Sequence, residues 1–158
     1  MHSKEYIEHL EERSNYQVWS IEEWLNNEFT NNPELQKKVA KLSVNDNSAH
    51  LNQPVLLPHC MEQTADKLSA LNWQSLFSIF SISLKIKNTG CCGMSGLFGH
   101  EKENQSLSEK IYQQSWQQIV EEENNILTTG FSCRCQLRNH KQTTKHPIEV
   151  LSALLRLK

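Results

Sequence analysis

A chain of 158 residues with 37% hydrophobic and 22% charged residues and a formal net charge of -2 has enough apolar material for one core and no field that would draw nucleic acid. That balance excludes intrinsic disorder, and no stretch approaches the roughly 20 apolar residues of a membrane span. The first 13 residues are too charged for a secretory signal, so the reading places the chain in the cytoplasm, reaching the inner membrane only through partners.

In chain order, residues 3–13 read as a helix capped by Ser3, with Tyr6, Ile7 and Leu10 on one stripe. Ser20 and Glu23 predict a capping box for residues 21–29, whose apolar face is Ile21, Trp24, Leu25 and Phe29. Pro33 suits the first position of a third helix carrying Leu35, Val39 and Leu42. Residues 43–53 are polar and turn-rich, the natural linker between N-terminal helices (1–53) and a compact region (54–158).

The compact region alternates two kinds of segment. Val55, Leu56 and Leu57 form a short apolar run suited to a buried strand, residues 82–86 alternate apolar and polar as a second strand would, and residues 125–129 give a third around Ile126 and Leu127. Between them, residues 61–80 show helical spacing through Ala65, Leu68, Leu71 and Phe77 with a break near Asn72. Residues 101–120 carry a stripe of Leu107, Ile111, Tyr112, Trp116 and Ile119, with Glu101 and Glu103 at the helix start. His146 and Pro147 open a last helix with Ile148, Leu151, Leu154 and Leu155 inside. The expected fold class is therefore α/β: a short parallel sheet with covering helices, preceded by N-terminal helices.

Five cysteines, Cys60, Cys91, Cys92, Cys133 and Cys135, all fall in the segments that leave the three strands. Ligands of such sheets collect outside the carboxyl ends of the strands, so these thiols should converge on one edge. Gly90, Gly93, Gly96 and Gly99 surround the adjacent Cys91 and Cys92, and their spacing predicts a tight loop whose main chain hugs a bound group; Gly90, Gly93 and Gly96 are the expected cofactor contacts.

An odd cysteine count with a vicinal pair and no export signal argues for reduced thiols engaged in metal or redox chemistry. No C-x2-4-C pair occurs, which disfavours zinc. Neighbouring cysteines point different ways, which is awkward for one small ion but workable for a cluster of several irons. Ligation of an iron-sulfur cluster by Cys60, Cys91, Cys92 and Cys133 is the sharper reading, with a strained vicinal disulfide at Cys91 and Cys92 ranked behind. Cys133 and Cys135 both reach one centre only in an extended segment, so Cys133 is the chosen ligand. His59 and His100 are alternative ligands or donors to them, and Arg134 is either a counter-charge or a surface residue. No G-x-S-x-G, P-loop or H-E-x-x-H motif is present, and no residue is assigned a catalytic role.

PHC at 58–60, TGCCGMSG at 89–96 and GFSCR at 130–134 resemble the cysteine-rich CCG domain of heterodisulfide reductase and of the iron-sulfur subunits of glycolate, glycerol-3-phosphate and lactate oxidising systems. FGHE at 98–101, SWQQ at 115–118 and HPIEVL at 146–151 further resemble the C-terminal end of large bacterial FAD-linked 2-hydroxyacid dehydrogenases of the D-2-hydroxyglutarate type. The resemblance implies an electron-relay domain holding an iron-sulfur cluster, of the 4Fe-4S type, on Cys60, Cys91, Cys92 and Cys133, and partnered by an FAD-containing domain or subunit. Such enzymes carry FAD and ferredoxin-like regions ahead of this one, so the chain reads as a tail region that does not turn over substrate alone. Cys133-Arg134-Cys135 departs from the C-x-x-C of heterodisulfide reductase, and Cys135 is the expected extra thiol. The alternative is a cluster-free module that docks on a flavoprotein through its N-terminal helices.

Overall fold

The computed structural model describes residues 18–45 and 53–156; the helix expected over 3–13 lies outside them. Two helices come first, α1 (Ile21–Asn31) and α2 (Pro33–Asn45). The capping box forms as expected: the Ser20 hydroxyl accepts from the Glu23 amide, and Glu23 accepts from the Ser20 amide at 3.0 Å. Helix α2 runs through Ser43 and Val44 to Asn45, so the linker begins later than expected, and residues 46–52 lie outside the described set.

The buried face of α1 differs from the apolar stripe. Ile21 and Trp24 are each 47% exposed, whereas Glu22 is buried beside Phe29. Polar pairing sets this rotation: Glu22 accepts from the buried Ser69 hydroxyl, and the Asn26 amide donates to the Asn72 carbonyl at 2.9 Å. A polar group that finds a partner can be buried in place of an apolar neighbour.

Strand β1 (Val55–Leu57) lies at the centre of a three-stranded parallel sheet, between β2 (Lys85–Ile86) and β3 (Ile126–Thr128). Val55 pairs with Lys85 and Ile126, and Leu57 with Thr128. All three β1 side chains are buried, as a strand covered on both faces requires. Side chains alternate between faces. Leu56 and Leu127 join Phe29, Val39, Trp73, Leu76, Phe77 and Leu151 on one face. Val55, Leu57 and Ile126 join Cys92, Met94, Tyr112, Trp116, Cys133 and Leu137 on the other. Of the second predicted strand only Lys85 and Ile86 enter the ladder, although the in-out alternation of Ile82 to Ile86 holds.

Between β1 and β2 the chain makes α3 (Cys60–Ala65) and α4 (Ser69–Ile79). Their break falls at Asp66 to Leu68, not near Asn72. The Asp66 carboxylate accepts from the Leu68 amide at 3.3 Å, a local bond that competes with the helix ladder. Helix α4 buries Ser69, Trp73, Leu76 and Phe77, while Leu68 and Leu71 are exposed, again because α1 occupies the Ser69 and Asn72 side.

After β2 and a 3-10 turn (Phe98–His100), the chain forms α5 (Gln105–Tyr112), a π turn (Gln113–Gln117) and α6 (Gln118–Glu122). The helix starts at Gln105, so Glu101 and Glu103 lie in the turn ahead of it. Its inward row is Ser108, Tyr112, Trp116 and Val120, with Leu107 exposed. Residues four apart drift around an α-helix, and the wider π turn cancels the drift, holding the row on one line. Helices α7 (Phe131–Asn139) and α8 (Pro147–Arg156) follow β3, with Pro147 opening α8 as expected.

Leu56→Ala should cost about 2–5 kcal/mol by chemical denaturation, since it opens a cavity at the central strand. Leu68→Ala should stay within about 0.5 kcal/mol of the parent, a difference the sequence stripe alone would not give.

Candidate metal centre

Each parallel strand delivers cysteines at its carboxyl end. Cys60 is the first residue of α3 directly after β1, Cys91 and Cys92 follow β2, and Cys133 lies in the first turn of α7 after β3. Cys60 lies near enough to Cys91 and Cys92 for its ionisation to be shifted by them, and Cys92 is likewise shifted by Cys91 and Cys133. Cys92 and Cys133 are buried, and Cys60 and Cys91 are half-buried. Cys135 is half-buried on the same helix as Cys133, and two helical positions apart the two thiols point in different directions. Among the described residues, no three His, Cys, Asp or Glu side chains converge in the geometry of a single bound ion.

The electrostatics of the buried pair are lopsided. The neighbouring Cys133 side chain holds the Cys92 thiol down at about 7 against the opposing effect of burial. Cys133, by its neighbour Cys92 and by burial, is pushed above the ordinary thiol range. Burial, followed by the neighbouring Cys91, raises Cys60.

The loop around Cys91 and Cys92 is held by protein contacts. Trp116 Nε1 donates to the Gly90 carbonyl at 2.9 Å, and the Gly93 amide donates to Cys91 Sγ at 3.4 Å. Three of the glycines answer to the packing of this loop on α5 and the π turn. A Cβ at Gly90 would lie 2.7 Å from Ser115 Oγ, one at Gly93 2.2 Å from the Ser108 carbonyl oxygen, and one at Gly99 2.6 Å from Met94 Sδ. Gly93 and Gly96 have φ of +93° and +67°, and only Gly96 faces open space.

The exits of β1 and β3 are tied together by groups that the sequence reading left out. Thr129 Oγ1 accepts from the His59 amide at 3.0 Å and donates to the Glu62 carboxyl, whose pKa burial raises to about 7. A Cβ at Gly130 would meet His59 Cδ2 at 2.5 Å and Cys133 Sγ at 2.7 Å, so the two exits touch. His59 spends Nδ1 on the cap of α3, accepting from the Met61 amide at 3.2 Å. His100 is exposed. Arg134 is half-buried and donates to the Thr128 and Thr129 carbonyls at 3.2 and 3.1 Å, capping the end of β3. The hydroxyls of Thr89 and Thr128 are buried at this end without a hydrogen-bond partner among the described residues. A signal for the Thr129 tie existed in the sequence: a hydroxyl residue directly after a buried strand, and an acidic residue in the first turn of the helix that leaves the neighbouring strand β1.

A parallel sheet that gathers cysteines from three strand exits defines a cysteine-rich α/β domain. The chain belongs to the CCG cysteine-rich domain family, whose profile matches residues 57–138. It is 36% identical over 156 residues to D-2-hydroxyglutarate dehydrogenase of Haemophilus influenzae, which spans 96% of this chain and 15% of that protein. It is 40% identical over 97 residues to the Pseudomonas putida protein of the same name (61% of this chain, 10% of that one) and 33% identical over 149 residues to that of Escherichia coli (92% and 14%). The chain thus spans about a seventh of the length of the Haemophilus and Escherichia relatives. No solved structure matches.

Gly93→Ala should cost about 3 kcal/mol, because strain at positive φ adds to a backbone clash, whereas Gly96→Ala should cost about 1 kcal/mol from φ alone; urea titrations of both variants check the ratio. A second prediction concerns His146, which burial, and then Arg134, lowers to about 4. Its unfolded form takes up a proton near pH 6.5 and its folded form only near 4, so stability from this group is complete above 6.5 and is lost as pH falls between those values. His146→Asn, which keeps an acceptor at the cap, should flatten the stability profile between pH 6.5 and 4.

Proposed function

We propose that the domain holds an iron-sulfur cluster of the 4Fe-4S class on Cys60, Cys91, Cys92 and Cys133, and serves as an electron relay within an FAD-linked oxidoreductase acting on a 2-hydroxyacid. The observation that carries the reading is the placement of four cysteines at three neighbouring strand exits on one end of a parallel sheet. The donor set fits the group. A set of four sulfurs, spread over three segments and lacking single-ion geometry, suits ligands that each take a different iron. The unpartnered Thr89 and Thr128 hydroxyls at this end favour a polar or charged occupant.

When bound, such a cluster accepts and passes on one electron at a time. The chain's own residues do the rest. Trp116 and the glycine contacts hold Cys91 and Cys92, and the Thr129 tie holds the β1 exit that carries Cys60 beside the β3 exit that carries Cys133. Packing by Met94, Leu57 and Leu137 keeps water from the buried pair. Gly96, at the open side of the loop, is the glycine that best suits contact with the bound group, more so than Gly90 and Gly93. FAD and the hydroxyacid belong to other domains or subunits, in keeping with the small share of the relatives that this chain spans. Among the described residues no helix is long and apolar enough to cross a membrane; work in the cytoplasm, with any membrane contact made through partners, belongs to the same proposal.

A second reading, a cluster-free docking module, draws on one observation: Trp19, Ile21 and Trp24 are exposed along the start of α1. Iron and acid-labile sulfide measured on protein purified without oxygen decide between the two. The relay reading expects both elements in the parent and in Cys135→Ser, and their loss in Cys91→Ser. A folded, iron-free parent that binds a flavoprotein would establish the docking reading in its place.

A further inference from the structure

We infer that the cavity between β3, α4 and α8 is a binding site for a small monocarboxylate with an apolar or aromatic body. The cavity measures about 290 Å³, close to the lower edge of the range of small-molecule sites, roughly 300–1,000 Å³. Pro54, Ile82 and Asn125, which lead towards β1, β2 and β3, all line it. It therefore opens at the amino ends of the strands, whereas the cysteines leave the carboxyl ends.

The walls are built by the fold before any ligand arrives. Phe77, Ile82 and Leu127 line the cavity and belong to the buried core, which fixes them in place. On the β3 side the Thr144 hydroxyl donates to the Ile126 carbonyl at 2.7 Å, and the Thr128 amide donates to the Lys145 carbonyl at 3.1 Å. These bonds pin the segment before α8 to the strand. Val150 and Leu154 of α8, both half-buried, supply the facing wall. Covering such a surface with an apolar body takes apolar area on both sides out of water, which is the driving force for entry.

Charge selects the ligand's polar end. The lining holds no Asp, Glu, His or Cys, and its charged group is Lys145. Asn124, Thr143 and Lys145 line the cavity as exposed residues, and their side chains have no hydrogen-bond or ion-pair partner among the described residues. An amide, a hydroxyl and an ammonium are all donors, and together with an apolar hollow they match one carboxylate at the end of an apolar body. A cationic ligand would meet the ammonium with no acid to offset it. A dicarboxylate would press its second charge against Phe77 and Leu127, at the cost of desolvation without a partner.

The test titrates 3-phenylpropionate into the full chain, followed by methyl NMR, with 3-phenylpropanol and 3-phenylpropylamine as probes of the same shape. Expected are saturable shifts confined to the methyls of Ile82, Leu127, Val150 and Leu154. The acid should bind about ten-fold more tightly than the alcohol, the usual advantage of a charge-assisted hydrogen bond over a neutral one, and the amine most weakly. Lys145 is exposed, so Lys145→Gln leaves the fold intact; it should bring the acid to the affinity of the alcohol and leave the alcohol unchanged. No saturable shift at millimolar acid, shifts centred on other residues, an amine that binds as tightly as the acid, or parent affinity for the acid in Lys145→Gln would overturn the inference. Each outcome reads the same whether or not the cysteines hold a cluster.

Discussion

Close packing of the cysteine loop on α5 is the constraint on which the rest depends. At Gly93 the main chain comes so near the Ser108 carbonyl that no side chain fits between them, and at Gly90 the indole of Trp116 grips the backbone one residue before the first loop cysteine. These contacts settle where Cys91 and Cys92 point. Their nearness to Cys60 and Cys133 follows from that placement.

The sheet supplies the complementary half. β1 is three residues long and buried on both faces, and it pairs with both neighbours. Its carboxyl end is therefore flanked by the other two exits, and cysteines remote in sequence become neighbours. The Thr129, Glu62 and His59 contacts and the Arg134 cap then lock the β1 and β3 exits. The lopsided Cys92 and Cys133 pair is a product of this crowding. Each thiol shifts its neighbour, Cys92 downward and Cys133 upward, and burial adds to the rise at Cys133.

Much of this was legible in the residues. The apolar run at Val55 to Leu57, the alternation from Ile82 and the pair Ile126 and Leu127 each carry the pattern of a covered strand, and the position of the cysteines after them follows from parallel topology. Ser20 with Glu23 and Pro33 are local signals that depend on few neighbours, and both form where expected. The inward faces of α1 and α4 were not legible, because they are set by Glu22 with Ser69 and Asn26 with Asn72, pairs separated by more than forty positions. The glycines were legible as a demand for close approach, but a helix and a ligand make the same demand on a sequence. Only the Ser108, Ser115 and Met94 neighbours show that protein satisfies it at three of the four.

The π turn at Gln113–Gln117 lets one continuous rod serve two clients that are out of phase. Its first part, through Ser108, and the π turn, through Ser115 and Trp116, cradle the cysteine loop, while Trp116 and Val120 also pack on the sheet. The extra residue in that turn works as a phase shim. The span from Gln105 to Glu122 is therefore fixed in count as well as in chemistry: dropping or adding a single residue would swing one client about a quarter-turn away from the other. Divergence along this stretch is free to change its outward letters, but insertions and deletions have to be accommodated in the turns on either side.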